Sequence, residues 1–120
     1  MALHNDVGNK GEEVALKYLT DKGFTVLETN WHFGKEEVDI IALNTEYLII
    51  VEVKTRTSRI FGEPYEFVNK NKQRLLIKAA QAYAERFQIQ QEVRFDIISI
   101  LFQRDKAEVT HLESAFYPVL

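Results

Sequence analysis

The chain contains no cysteine, so neither a disulfide nor a thiolate metal centre is available to it. That suits the cytoplasm as its compartment. Only two prolines and five glycines occur, and no linker, repeat or low-complexity segment is visible. No apolar run approaches the roughly 20 residues of a membrane helix. The start, Met1-Ala2-Leu3-His4-Asn5-Asp6, lacks the basic-then-apolar pattern of a signal peptide. No membrane partner is therefore expected. There is no excess of basic charge either: the formal net charge is −3, which argues against indiscriminate binding to polyanions. Gly8 to Gly11 lacks the Lys-Ser/Thr ending of a phosphate loop, and no serine or cysteine nucleophile arrangement is present. His4, His32 and His111 are scattered without metal-ligand spacing.

What is present is enough for one globular unit. A chain of 120 residues with 46% hydrophobic content can bury a core without staples, so a single domain over 1–120 is expected. The most informative stretch is Glu36 to Lys54. Two β-rich apolar runs, Glu36–Leu43 and Tyr47–Lys54, flank the polar break Asn44-Thr45-Glu46, which is a hairpin signal. Charges inside such runs cost about several kcal/mol unless paired, solvated or metal-bound. Asp39, Glu52 and Lys54 are there nonetheless.

The register decides whether these charges meet. With Thr45-Glu46 as a two-residue turn, Asn44 pairs with Tyr47, Asp39 faces Glu52, and Glu37 faces Lys54. Strand residues two apart share a face, so all four project together. An odd loop would send them to opposite faces. Thr-Glu is not a preferred tight-turn pair, and the grouping of charges is what favours the even loop. Two carboxylates offer hard oxygen ligands to Mg²⁺ or Mn²⁺, and an adjacent ammonium can stabilise phosphoryl charge. A cross-strand salt bridge on a solvated face is the competing reading.

Asp39 followed by Glu52-Val53-Lys54 across a short hairpin resembles the PD-(D/E)XK signature of restriction-endonuclease-like nucleases. More of the chain, from about residue 8 to 115, resembles the YraN-like family of small bacterial proteins. The matching residues are Gly11-Glu12 with Ala15 and Tyr18-Leu19, Gly23-Phe24, Asn30-Trp31, Glu37-x-Asp39-Ile40-Ile41 and Val51-Glu52-Val53-Lys54-Thr55-Arg56. Phe61-Gly62-x-Pro64-x-Glu66-x-Val68, Lys72-Gln73 and Arg94-Phe95-Asp96 complete the set. One departure is Glu36, which stands where the family usually has glycine; glutamate avoids backbone angles open to glycine, so the preceding loop is expected to differ.

The resemblance implies an α/β restriction-endonuclease-like fold of three layers, distantly similar to Holliday junction resolvases. It implies Asp39, Glu52 and Lys54 as catalytic residues, and Asp39 and Glu52 as ligands of Mg²⁺ or Mn²⁺. In related junction-resolving nucleases a helical glutamate lies near the metals, and the match falls on Glu12. From spacing alone, Glu12 sits at the edge of an inward helical stripe, whereas Glu13 precedes Lys17 by four and forms a routine exposed pair. A carboxylate that simply favours the helix N-terminus remains the other reading of Glu12. Glu37 and Gln73 are accessory candidates.

Periodicity predicts a helix over Asn9–Lys22 stopped by Gly23, with Val14, Ala15, Tyr18 and Leu19 inward. Strands are predicted over Phe24–Thr29, over the hairpin, and over Glu92–Phe102 and Glu108–Leu112 around the turn Gln103-Arg104-Asp105-Lys106. Thr55–Tyr65 reads as a loop broken by Gly62 and Pro64. Asn69 caps a second helix ending near Phe87, with Leu76, Ala79, Ala80, Tyr83 and Phe87 inward. The order α-β-β-β-α-β-β predicts helices against a mixed sheet of about five strands.

Charge is unevenly spread. Residues 67–91 hold an excess of cations over acids. Lys70, Arg74 and Lys78 recur every four residues on one helical face, with Lys72 and Gln73 beside them and Arg56 and Arg59 in the preceding segment. Cations so placed repel one another, and a nucleic-acid backbone would relieve this; a solvated helical face is the bland alternative. Trp31 and Phe33 are candidates to stack on an exposed base, with at least one expected in the core. Two functions follow as expectations. The first is a metal-dependent nuclease hydrolysing phosphodiester bonds, with DNA as partner and a homodimer by analogy. The second is a nucleic-acid-binding or interaction module that keeps the fold without turnover.

Overall fold

A computed structural model describes residues 3–57 and 68–118, with side chains described from residue 9 onward. The first helix, α1, spans Leu3–Asp21 and so begins six residues before the predicted start. No proline interrupts residues 3–8, and the helical hydrogen bonds simply continue back through them. Its end is as expected. Gly23 adopts φ +95°, the Phe24 N–H donates to the Leu19 carbonyl, and the Gly23 N–H donates to that of Thr20. These two bonds form a Schellman cap, which requires a left-handed residue at that point.

Five strands follow in the predicted order: β1 (Thr25–Phe33), β2 (Glu36–Leu43), β3 (Tyr47–Arg56), β4 (Glu92–Gln103) and β5 (Lys106–Phe116). The second helix, α2, spans Lys70–Arg86 between β3 and β4, with Asn69 as its N-cap accepting the Lys72 N–H at 2.9 Å. The sheet order is β1-β2-β3-β4-β5. Only β3 and β4 pair in parallel, because only they are joined by a helical crossover rather than a hairpin. β1 runs four residues beyond its predicted end and β5 extends at both ends. The turn before β5 is shorter than expected: Gln103 pairs with Lys106, leaving only Arg104-Asp105 as the loop. Gly34, with φ +61°, and Lys35 form the equivalent turn between β1 and β2.

One helix covers each face of the sheet. Ala15 and Leu19 of α1 pack on Ile40, Ala42, Ile49, Val51, Ile98 and Ile100. Leu76, Ala79, Ala80 and Tyr83 of α2 pack on the other face with Ile41, Leu48, Ile50, Phe95 and Ile97. The alternation along β3, Leu48 and Ile50 to one side and Ile49 and Val51 to the other, is what a central strand buried on both faces requires. Phe87, predicted inward, is 46% exposed because the helix has ended there and Phe87 is its C-cap. At Gly11 α1 comes close to the sheet: a Cβ at that position would lie 2.0 Å from Thr55 Oγ1. The helix therefore passes directly over the end of β3.

Candidate active site

The β2–β3 hairpin has the even register. Leu43 pairs with Leu48, and the ladder runs back to Ile40 opposite Val51. Asn44 fixes the two-residue loop: its Oδ1 accepts the N–H groups of Glu46 at 2.9 Å and Tyr47 at 2.7 Å, and its own N–H donates to the Tyr47 carbonyl. The asparagine side chain thus supplies the turn chemistry that Thr-Glu lacks. Past Ile40 and Val51 the ladder opens. Val38 joins the α2-side core whereas Ile40 joins the α1-side core, so strict alternation along β2 breaks at Asp39. Asp39 Oδ2 accepts the Val53 N–H at 2.8 Å, replacing the backbone partner β3 has lost.

Glu52 lies beside it. The residue is only 6% exposed, and its Oε2 has no hydrogen-bond partner among the described residues. Burial first, then the Asp39 charge and a hydrogen bond shared with Asp39, push its carboxyl up to about 8. A hydrogen bond between two carboxyls requires a proton on one of them, so the pair stores an electrostatic conflict. Lys72 partly offsets it, as does Lys54, two residues further along the same strand face. Glu12 is half-buried on α1. Burial, Asp39 and Glu37 raise its carboxyl above the usual range, against a lowering hydrogen bond from Asn30. It is thus within electrostatic reach of Asp39.

These residues suit a hard divalent cation in a specific way. An unpartnered buried carboxylate oxygen next to a second carboxylate is a site a cation would satisfy. Among the described residues no three His, Cys, Asp or Glu side chains are gathered as a closed cage. Mg²⁺ and Mn²⁺ do not require one, since one or two carboxylates with waters and substrate phosphates suffice for Mg²⁺.

The other predicted residues fall in three places. Glu37 does not face Lys54; it pairs with His32 on β1 at 3.2 Å, because β2 stays paired with β1 where it has parted from β3. Gln73 donates to the Val68 carbonyl at 3.1 Å and ties the start of α2 to the chain before it. Lys70, Arg74 and Lys78 lie along α2, and Arg56 is half-buried near the end of β3. Arg59, with Gly62 and Pro64, lies outside the described residues. Trp31 is the core aromatic, edge-on to Tyr83 with centroids 5.1 Å apart, while Phe33 stacks on it from the exposed side.

Lys72 stands apart from the cationic row. It is hydrogen-bonded to Glu36 and lies 3.7 Å from Glu52 Oε2. Burial alone would lower its ammonium, but the hydrogen bond it donates to Glu36 and the charges of Glu52, Glu36 and Asp39 outweigh it, leaving a net rise. Neither Lys72 as a neighbour of Glu52 nor Glu36 as its holder is visible in the sequence pattern.

A second polar cluster lies elsewhere. Asp96 is buried and accepts from Arg94 Nε at 3.0 Å and Nη2 at 2.9 Å, from the Ser114 N–H at 3.0 Å, and from His111 Nε2 at 2.7 Å. With the proton on Nε2, His111 Nδ1 accepts the Tyr18 hydroxyl at 3.0 Å. Burial would raise the Asp96 carboxyl, but bonds from His111, Arg94 and Ser114 win and hold it below the usual range. The cluster ties α1, β4 and β5 together. The Arg94–Asp96 pair is legible from its spacing, whereas the part of His111 is not.

A five-stranded mixed sheet with a helix on each face, carrying Asp39, Glu52 and Lys54 at the opening of its central hairpin, places the chain among restriction-endonuclease-like proteins. The chain belongs to the uncharacterised protein family UPF0102, whose signature matches residues 11–100. It is 47% identical over 117 residues to a UPF0102 protein of Flavobacterium psychrophilum, with 98% of each chain covered. It is 44% identical over 118 residues to one of Phocaeicola vulgatus, again with 98% of each covered. A third, from Bacteroides thetaiotaomicron, is 42% identical over 120 residues, covering 100% of this chain and 99% of the relative. Among the described residues no helix is long and apolar enough to cross a membrane.

Proposed function

We propose that the protein is a metal-dependent nuclease that hydrolyses phosphodiester bonds, with DNA as its substrate. The observation that carries the reading is Glu52 Oε2, a buried carboxylate oxygen adjacent to Asp39 and without a hydrogen-bond partner among the described residues. Asp39 and Glu52 would hold Mg²⁺ or Mn²⁺, with Glu12 acting from α1 on the same field. The bound ion would supply an activated water and stabilise phosphoryl charge. Lys54 would stabilise the negative charge that builds up on the phosphoryl oxygens. Asp39 keeps its place through the Val53 N–H, so the site is built on strands rather than on a loop.

Lys70, Arg74 and Lys78, spaced along one face of α2, would track the backbone, with Arg56 nearer the site. A single such site cuts one strand, so duplex cleavage would call for a homodimer. The second reading is a binding module without turnover. It is favoured by Lys72, whose charge already compensates Glu52. A cleavage assay on duplex, single-stranded and branched DNA and on RNA, with Mg²⁺ and with Mn²⁺, separates the two. The nuclease reading expects cuts that vanish in Lys54→Ala. It fails if the wild type cuts nothing above the Lys54→Ala level on any substrate.

A further inference from the structure

Lys72 is an unusual residue for its place. It is the third residue of α2, where the unpaired N–H groups and the helix dipole favour an anion and where a glutamate would complete a capping box. The first turn of α2 contains no acidic residue at all. The Lys72 ammonium is compensated from the sheet instead, by Glu36 and Glu52. The two contacts differ in kind. With Glu36 it is a direct hydrogen bond. With Glu52 Oε2 the separation is 3.7 Å, too long for one, and Oε2 keeps a free lone pair despite its burial.

The position of Glu36 explains the difference. It is the first residue of β2, opposite Phe33 across the Gly34-Lys35 turn, and its side chain is itself largely buried. It is therefore anchored on the sheet and pulls the lysine to one side. Without it, the nearest anion for the ammonium among the described residues would be Glu52.

We propose that Lys72 is a resident counter-cation of the site and that Glu36 is its positioning residue, holding the ammonium clear of Glu52 Oε2 so that a divalent cation can bind there. The proposal rests on the reading of Asp39 and Glu52 as metal ligands. Lys72 neutralises the carboxylate pair while no metal is bound, and its charge opposes the metal that replaces it. Glu36 limits that opposition by offering Lys72 a nearer partner. The affinity of the site for divalent cations is then set by a lysine and a glutamate that do not themselves ligate.

The test is Mn²⁺ affinity by isothermal titration calorimetry, in wild type, Lys72→Met, Glu36→Gln, the double variant and Asp39→Ala, each shown to melt cooperatively. Lys72→Gln serves if Lys72→Met does not fold. Removing Lys72 should tighten Mn²⁺ binding about fivefold or more, the lower range of couplings between interacting sites. Glu36→Gln should weaken it, and by several-fold more when Lys72 is present than in the Lys72→Met background, because only then can the ammonium move onto Glu52. Equal loss in both backgrounds would make Glu36 a ligand in its own right and overturn the proposal. Unchanged or weaker Mn²⁺ binding in both Lys72 variants would overturn it too, while a loss confined to Asp39→Ala would leave the metal reading standing. Absence of Mn²⁺ binding in every protein would sink both.

Discussion

Asp39 Oδ2 takes the Val53 N–H at 2.8 Å, just past the last paired residues of the β2–β3 ladder. A side chain thus completes the hydrogen bonding of a central strand and, in doing so, is held against Glu52. The consequence is a conflict between two carboxyls that pH and metal should expose. The Glu52 carboxyl is raised from 4.5 to about 8, chiefly by burial and then by Asp39. A raised carboxyl gives stability that is present below 4.5 and lost as pH rises through about 8. In chelator, the melting temperature should fall as pH rises across that window, and Glu52→Gln should flatten the fall. Mg²⁺ or Mn²⁺ should raise the wild-type melting temperature by mass action and raise that of Asp39→Ala less. Equal shifts in the two proteins would mean that the ion binds elsewhere.

Asp96 should act in the opposite direction on pH. Its folded carboxyl lies below the ordinary 3.8, against the effect of burial, because His111, Arg94 and the Ser114 N–H donate to it. The stability it gives is present above 3.8 and lost as pH falls towards the folded value. Asp96→Asn removes one partner of a buried ion pair, a change that costs about 3 kcal/mol or more. It should also make the decline of urea midpoints on acidification below 3.8 shallower than in the wild type. A parallel, merely lowered curve would show that Asp96 does not titrate in unfolding.

The site carboxylates are legible because they obey local rules. Asn44 and Tyr47 close a two-residue loop, strand parity does the rest, and Asp39 and Glu52 follow. Asn69 is legible as a cap for the same reason. Lys72 is not, although the rotation of a helix contains the answer: at about 100° per residue, position 72 lies about 200° from position 70, away from the row of Lys70, Arg74 and Lys78. Its partner Glu36 sits in another element, and no local pattern joins them. Glu37 is misplaced when parity is carried past the point where β2 leaves β3. His111 meets Tyr18 across 93 positions of sequence, a contact only the assembled sheet creates.

Gly11 should be intolerant of a side chain. An added Cβ would meet Thr55 Oγ1 at 2.0 Å and two further Thr55 carbons at 3.0 Å. Overpacking of this kind costs about 1–3 kcal/mol. Gly11→Ala should therefore lower the melting temperature, and Thr55→Ala in the same chain should restore part of it by removing the nearest atom. Because Glu12 follows Gly11 directly, the single variant should also disturb the site more than its loss of stability alone predicts. A Gly11→Ala protein as stable as wild type would mean that α1 lies further from β3.

Lys54 and the α2 row should separate chemistry from binding. Lys54 extends from the strand that carries Glu52, and its charge already acts on that carboxyl. If it stabilises the phosphoryl transition state, Lys54→Ala should lower kcat by about a hundredfold or more, the usual loss for one preorganised group, with little change in substrate affinity. Lys70, Arg74 and Lys78 lie on α2, distinct from the carboxylate pair. Reversing their charge should weaken binding alike for all sequences and lower the dependence of log affinity on log salt, by about one unit of slope for each phosphate no longer neutralised. A binding module would show the second effect with no cleavage to lose. Equal effects of the two sets on affinity would mean that Lys54 contacts the substrate in its ground state, and the division of labour between β3 and α2 would have to be abandoned.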